Sequence, residues 1–312
     1  MKVYRDISSF ENKNNAVVTT GTFDGVHIGH KRIVARLKEV AHQIQGESVI
    51  ITFFPHPRLV LFPEDNDLKL INTLEDKIEL LEKAGIDHLI IIPFTKEFSR
   101  LSSLEFIQQI LVDKIGTKKL VIGYDHHFGK NREGTFDHLK HYAPEYGFEV
   151  EEIPEQDIND VAVSSTKIRN AILEGDFRIA NSYLGHDFTL RGNVSRGDQI
   201  GRTIGYPTAN IHVPETYKLI PGDGIYAVSV LVNNQSYKGM LYIGNRPTVN
   251  GLNIVIEVNI FDFNADIYDE TIEVTFHQYI RGDKKLNGLE ELKAALAADE
   301  IACRSFFNML SR

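Results

Sequence analysis

The chain is 312 residues long, 42% hydrophobic and 25% charged, a globular composition with enough length for two hydrophobic cores. A formal net charge of −9 argues against a basic surface that coats DNA or RNA, so any anion must be held by local groups. The single cysteine, Cys303, excludes an internal disulfide and a multi-cysteine metal cage, and it fits a reducing compartment.

The N-terminus, MKVYRDISSF, has a polar break where a signal peptide needs an apolar core. Apolar runs such as LIII at residues 89–92 fall far short of the ~20 residues that span a bilayer, so the expectation is a cytoplasmic protein with no membrane partner. Short apolar runs at residues 16–20, 48–54, 89–93, 120–123 and 148–153 read as buried strands. Between them lie helical patterns. Ile33, Val34, Leu37, Val40, Ala41 and Ile44 recur on one helical face. Thr73 with Asp76 opens a second helix that Gly85 closes, and Ser102 with Glu105 opens a third that Gly116 closes. Strand alternating with helix predicts right-handed βαβ units, a Rossmann-like parallel sheet covered on both faces.

The first predicted strand runs into GTFDGVHIGH at residues 21–30. Gly21 and Gly25 permit a tight turn, and His27 and His30 then fall three apart on the first helical turn. Gly29 leaves room for a ligand beside the backbone, where unpaired amides and the helix dipole attract phosphate. A lone histidine near a turn is an ordinary surface residue, and zinc needs a third ligand and usually an i, i+4 pair. The glycine-flanked pair directly after a strand favours phosphate. After the fifth predicted strand, SSTKIR at residues 164–169 opens a helix; it could be a plain N-cap, but Lys167 and Arg169 beside the hydroxyls suit a polyphosphate.

From about residue 185 the texture changes. Strand-like runs at residues 188–191, 225–232, 236–243, 254–261 and 271–280 follow one another across short turns, and a helical pattern at 289–310 ends the chain. Cys303 within it reads as a packed thiol or, less simply, a nucleophile. This predicts an α/β domain over 1–184 and an antiparallel β-barrel domain with a terminal helix over 185–312. Its opening segment is glycine-rich, with Gly192, Gly197, Gly201 and Gly205, and is either a plain connection or a loop whose amides wrap phosphates. Thr208 and Asn210 alternate onto one side of an extended stretch and offer oxygen donors suited to Mg²⁺. Glu257, alone in an apolar strand, is either solvent-facing or a base that deprotonates a hydroxyl.

The HIGH sequence at residues 27–30 is shared by nucleotidylyltransferases and class I aminoacyl-tRNA synthetases, but SSTKIR, the length and the acidity do not suit a tRNA partner. Beyond it, TFFPHP at 52–57, FSRLSSLEF at 98–106, IGYDHHFGKNREG at 122–134, SSTKIR, GRTIGYPTAN at 201–210, GNRPT at 244–248 and the Glu257 strand follow in order. In this the chain resembles the bacterial enzymes in which riboflavin kinase is fused to FMN adenylyltransferase (FAD synthetase). The resemblance implies substrates ATP, riboflavin and FMN. In the kinase domain it implies Mg²⁺ and ATP phosphates on Thr208 and Asn210, Glu257 as base, a nucleotide loop with Gly192, Val194, Gly201 and Arg202, and a flavin contact at Arg281. For adenylyl transfer it implies His27 and His30 on the ATP phosphates, and Ser165, Thr166, Lys167 and Arg169 at the departing end. Gly21, Phe23, Asp24 and Gly29 would line that nucleotide pocket, with Phe54, Pro55, His56, Pro57 and Asp125 beside the flavin. The chain departs from the resembled pattern at His126, Asn245 and Leu286.

Overall fold

A computed structural model describes residues 1–11, 15–64, 67–124, 126–154, 163–197, 200–248 and 251–310. The chain forms two compact units, Met1–Ser165 and Thr166–Arg312.

The first unit is built on a six-stranded parallel sheet in the order β1-β4-β3-β2-β5-β6. The strands are β1 (Lys2–Tyr4), β2 (Ala16–Thr20), β3 (Glu47–Phe54), β4 (His88–Pro93), β5 (Thr117–Gly123) and β6 (Glu149–Ile153). Sequence periodicity anticipates all but β1, which is too short and too polar to show and is held at the edge by pairing with β4. Alternate strand residues serve opposite faces. Val17, Ile50, Leu89, Ile91 and Val121 pack under α1 (Ile28–Gln43) and α3 (Leu74–Lys83), while α2 (Pro57–Leu61) follows β3. Val18, Ile51, Ile90, Ile92 and Ile122 pack against the opposite layer. That layer is α4 (Ser103–Glu105), which continues as a π-helix over Phe106–Ile115, and α5 (Phe136–Tyr146).

Both expected capping boxes form: Thr73 with Asp76, and Ser102 with Glu105. Each removes two unpaired amides and fixes where its helix starts. Along α1, Val34, Leu37, Val40 and Ala41 are buried as their spacing requires. Burial of a large aliphatic side chain is worth about 1.5–3 kcal/mol, enough to anchor the helix whose first turn carries His27 and His30.

In the second unit α6 (Ser165–Leu173), of which all but Ser165 belongs here, and α7 (Phe177–Leu184) precede a closed barrel in the order β10-β11-β8-β7-β12-β9. Its strands are β7 (Thr189–Ser195), β8 (Ala209–His212), β9 (Gly224–Val232), β10 (Gln235–Thr248), β11 (Gly251–Ile260) and β12 (Thr271–Arg281), all antiparallel. Phe177 of α7 stacks on Phe188 and Phe276 and meets Tyr226 edge-on, so this helix packs with the barrel. A short turn, α8 (Ile200–Thr203), lies between β7 and β8, and α9 (Leu289–Leu310) seats Cys303 and Phe307 against Ala227, Met240 and Phe261. Cys303 is a packed thiol, its pKa pushed up to about 12 by burial.

Candidate active sites

In the first unit, strand order reverses direction around β2, with β3 on one side and β5 on the other. Ligands of open parallel sheets bind at the carboxyl end of such a switch point. The chain leaves β2 there through a turn with positive φ at Phe23 (49°), Gly25 (88°) and Val26 (40°). For a β-branched residue this is rare, and such conformations cost roughly 1–3 kcal/mol each unless their surroundings over-determine them. Here they do. Buried Asp24 accepts on Oδ1 from the backbone N–H groups of Ile71 (2.9 Å) and Asn72 (3.4 Å). The Ser165 hydroxyl donates to the Asp24 carbonyl (3.0 Å), and Lys77 Nζ donates to the Thr22 carbonyl (2.7 Å).

His27 is the N-cap of α1, and its Nδ1 accepts from the His30 backbone N–H (3.4 Å). Accepting there places the proton of the neutral ring on Nε2, a free-standing donor for a ligand oxygen. The two imidazoles stack at 3.6 Å, with Phe23 against His30 at 5.0 Å. Burial lowers the His27 pKa to about 4 against the pull of Asp24, and holds His30 well below its usual value with help from His27 and Lys77. Both are neutral donors at pH 7. His30 Nδ1 is buried with no hydrogen-bond partner among the described residues.

The structure joins Ser165 to this turn; Thr166 and Lys167 are exposed on α6, and Arg169 is half-buried there. Phe54, Pro55, His56 and Pro57 lie where β3 ends and α2 begins, with Phe54–Pro55 cis and His56 capping α2 through Nδ1. Asp125 lies outside the described residues. Neighbouring His126 is not a plain exposed loop residue: it stacks on Phe128, its Nε2 is buried, and burial lowers its pKa to about 4.

In the barrel, register puts Glu257 of β11 directly opposite Asn210 of β8 and opposite Tyr242 of β10. Directly opposed residues share a sheet face, so these three side chains form one row. The Thr208 hydroxyl donates to Glu257 Oε2 (3.4 Å), which makes Glu257 a half-buried partner of the Thr–Asn pair rather than a solvent-facing residue. Thr208 also lines a cavity of about 500 Å³ with Val194, Arg202, Ala209, Val258 and Phe263. Close approach requires glycine at 201, where a Cβ would lie 2.1 Å from the Tyr206 carbonyl oxygen, while a Cβ on Gly197 would lie 2.1 Å from Asn210 Nδ2 and push that amide aside. Gly192 is similarly crowded by His212 of β8. Arg281 does something the sequence did not reveal. Its guanidinium forks onto buried Asp299 of α9, Nε to Oδ1 and Nη2 to Oδ2 both at 2.7 Å.

Among the described residues no three His, Cys, Asp or Glu side chains gather as a metal cage. The set that does gather, a hydroxyl, an amide oxygen and one carboxylate, fits a hard cation that takes its remaining ligands from phosphates and water. Sequence reasoning missed Lys77, Tyr242 and Asp299. Lys77 left a signal: it shares the apolar stripe of α3 with Leu74 and Leu81, where a charge is out of place.

Stacked neutral imidazoles at a parallel-sheet switch point, followed by a barrel in which a hydroxyl, an amide and a carboxylate meet, are an arrangement suited to a two-domain phosphoryl- and nucleotidyl-transferring enzyme. Comparison with known proteins makes this specific. Residues 9–167 match the FAD synthetase family and residues 184–307 the riboflavin kinase family. The chain belongs to the bifunctional riboflavin kinase/FMN adenylyltransferase family. Relatives of that description are 41% identical in Listeria monocytogenes (95% of this chain, 94% of the relative) and 36% identical in Escherichia coli (99% of each). One from Bacillus subtilis is 35% identical over 97% of this chain and 96% of the relative. A crystal structure from Streptococcus pneumoniae, described as a macrolide-efflux protein, superimposes with a TM-score of 0.87 at 33% identity, covering 97% of this chain and 98% of that one. No helix among the described residues is long and apolar enough to cross a membrane. The enzyme phosphorylates riboflavin to FMN with ATP and joins FMN to AMP, giving FAD and pyrophosphate.

Proposed function

We propose that the two reactions are divided between the two sites described above, with the functional boundary at residues 184/185, adenylyl transfer before it and phosphorylation after it. The observation that carries this reading is the meeting of Thr208, Asn210 and Glu257, residues scattered over β8, its approach and β11: Thr208 bonds Glu257, strand register sets Asn210 opposite Glu257, and Thr208 also lines the cavity.

In the barrel, Glu257 takes the proton of the ribityl hydroxyl as that oxygen attacks the γ-phosphorus of ATP; position matters here before basicity. Thr208 and Asn210 hold Mg²⁺ and the phosphates; the ion, when bound, neutralises charge on the transferring group. Gly192 and Val194 lie on β7 rather than in a loop, and with Gly201 and Arg202 of α8 they would border the nucleotide, where exclusion of water protects the phosphoryl group. Arg281 serves the flavin end, with its guanidinium anchored by Asp299.

In the first unit the FMN phosphate is already an anionic nucleophile, so the work is alignment and charge neutralisation at the α-phosphorus. His27 donates from Nε2 and His30 from its ring to phosphate oxygens over the Gly21 and Gly29 backbone. Phe23 and Asp24 shape the nucleotide pocket. Ser165 receives the pyrophosphate, and Phe54, Pro55, His56 and Pro57 border the flavin. The chain works in the cytoplasm, a reading supported by its lone, unpaired cysteine.

Calorimetric titration with a non-hydrolysable ATP analogue and Mg²⁺ tests the division. The parent chain should bind two equivalents; His27→Ala with His30→Ala should abolish one and Thr208→Ala with Asn210→Ala the other. Retention of both by either double variant would refute the assignment.

A further inference from the structure

The strained turn after β2 raises a question that the two histidines do not answer: what keeps it in place before ATP arrives. Asp24 braces it from one side through the amides of Ile71 and Asn72, which lead into α3. The second brace is Lys77, one turn into α3, whose ammonium reaches the Thr22 carbonyl at 2.7 Å, one residue ahead of Phe23 with its φ of 49°.

Lys77 is an expensive choice for that place. The side chain is only 5% exposed and sits on the helix face whose neighbours, Leu74 and Leu81, are buried in the apolar layer. A hydrocarbon of the same length would pack there without losing the hydration of an ammonium, and replacing buried charges by well-packed apolar groups is often neutral or stabilising. Burial lowers its pKa to about 8 against the attraction of Asp24, which leaves it mostly charged at neutral pH. Stability therefore gives a poor account of a cation here, whereas geometry gives a direct one. A charge-assisted bond to the Thr22 carbonyl holds the one peptide from which the chain must turn into its left-handed conformations. The far end of that turn is His27, the cap of α1, so a shift at Thr22 is passed to both imidazoles.

We propose that Lys77 is a positioning residue for adenylyl transfer: by gripping the Thr22 carbonyl from α3 it fixes the turn carrying Phe23, Asp24 and His27 in the shape that receives ATP. This rests on the reading of His27 and His30 as the ATP site. It assigns Lys77 no contact with the reacting atoms.

The same polypeptide carries an internal control, because the barrel's reaction does not use this turn. In full-length chains, Lys77→Met should lower kcat for FMN to FAD about 10- to 100-fold, the cost of roughly an ångström of misplacement, with riboflavin phosphorylation within about twofold of the parent. The KM for ATP should change less than kcat, since the phosphate donors remain. Lys77→Arg, which keeps the charge and a donor, should recover part of the loss. Parental kcat in folded Lys77→Met, or a loss that merely tracks the unfolded fraction with arginine no better than methionine, overturns the proposal. Should Lys77→Met not fold, Lys77→Gln, which removes the charge and shortens the reach to the Thr22 carbonyl, decides instead: reduced kcat at an unchanged melting temperature supports the role, and parental kcat refutes it. Survival of FAD synthesis in the His27→Ala, His30→Ala chain would instead defeat the site assignment, an outcome distinct from failure of Lys77.

Discussion

On the proposed reading the two units handle the same triphosphate with opposite chemistry. The parallel-sheet unit presents nitrogen: neutral imidazoles stacked at a helix mouth, held by a backbone turn in conformations that are themselves unfavourable. The barrel presents oxygen: an amide and a carboxylate that strand register sets opposite one another, and a hydroxyl bonded to the carboxylate. The difference follows from architecture. A switch point in a parallel sheet already aims helix amides at an anion, so few side chains are needed, and strain concentrates in the turn. An antiparallel barrel offers no such dipole, so its site is assembled from side chains and glycines that let strands approach closely.

The strongest way to break this comparison is to remove the key group from each site. Glu257→Gln should cut FMN formation by about 10²- to 10⁴-fold, the usual worth of a positioned base, while supplied FMN still becomes FAD on chromatography. His27→Ala with His30→Ala should produce the reverse pattern. Loss of both products from either folded chain would show that the sites are not separable.

Next in size is the anchoring of α9. Asp299→Asn leaves the partly buried Arg281 without its counter-charge and should destabilise the barrel by roughly 3 kcal/mol, the low end for a broken buried pair. Because Cys303 lies on the buried face of α9, its reaction with a thiol reagent in mild urea should accelerate in that variant. An unchanged labelling rate would mean that the fork is not what holds the helix.

A smaller effect tests the oxygen row. Gly197→Ala places a methyl where Asn210's amide now lies and should lower riboflavin phosphorylation about tenfold, in line with the sensitivity of such reactions to sub-ångström placement, with FAD formation from FMN intact. The mildest effect sharpens the nitrogen side. His27 has a folded pKa of about 4 against 6.5 when free, so the unfolded chain binds its proton first on acidification. The stabilisation from neutral His27 is complete above about pH 6.5 and is lost as pH falls towards 4, at up to ~1.4 kcal/mol per pH unit for each such histidine. His30 and His126, both lowered, act in the same direction. Calorimetry between pH 7 and 5 should show the first unit weakening before the barrel, whose integrity Cys303 labelling reports.

Much of this was legible without coordinates, and the reason is local. Helix starts at Thr73 and Ser102, strand alternation around Val17 and Val18, and the glycines of the turn after β2 are decided by neighbours within a few residues. So is the pairing of His27 with His30, which one helical turn enforces. Glu257 stayed ambiguous because strand periodicity names a face without saying what covers it; only pairing of β11 with β8 and β10 put Asn210 and Tyr242 beside it. Arg281's partner is 18 residues away and meets it only because α9 folds back on the barrel. Lys77 stands between these cases: its misplaced charge could be read from the stripe of α3, but its purpose required Thr22, 55 residues earlier. What the chain settled alone were matters of short range, torsion preference and side-chain period. Tertiary structure decided which distant groups share a dry space, because that depends on how whole layers stack, a quantity no short window contains.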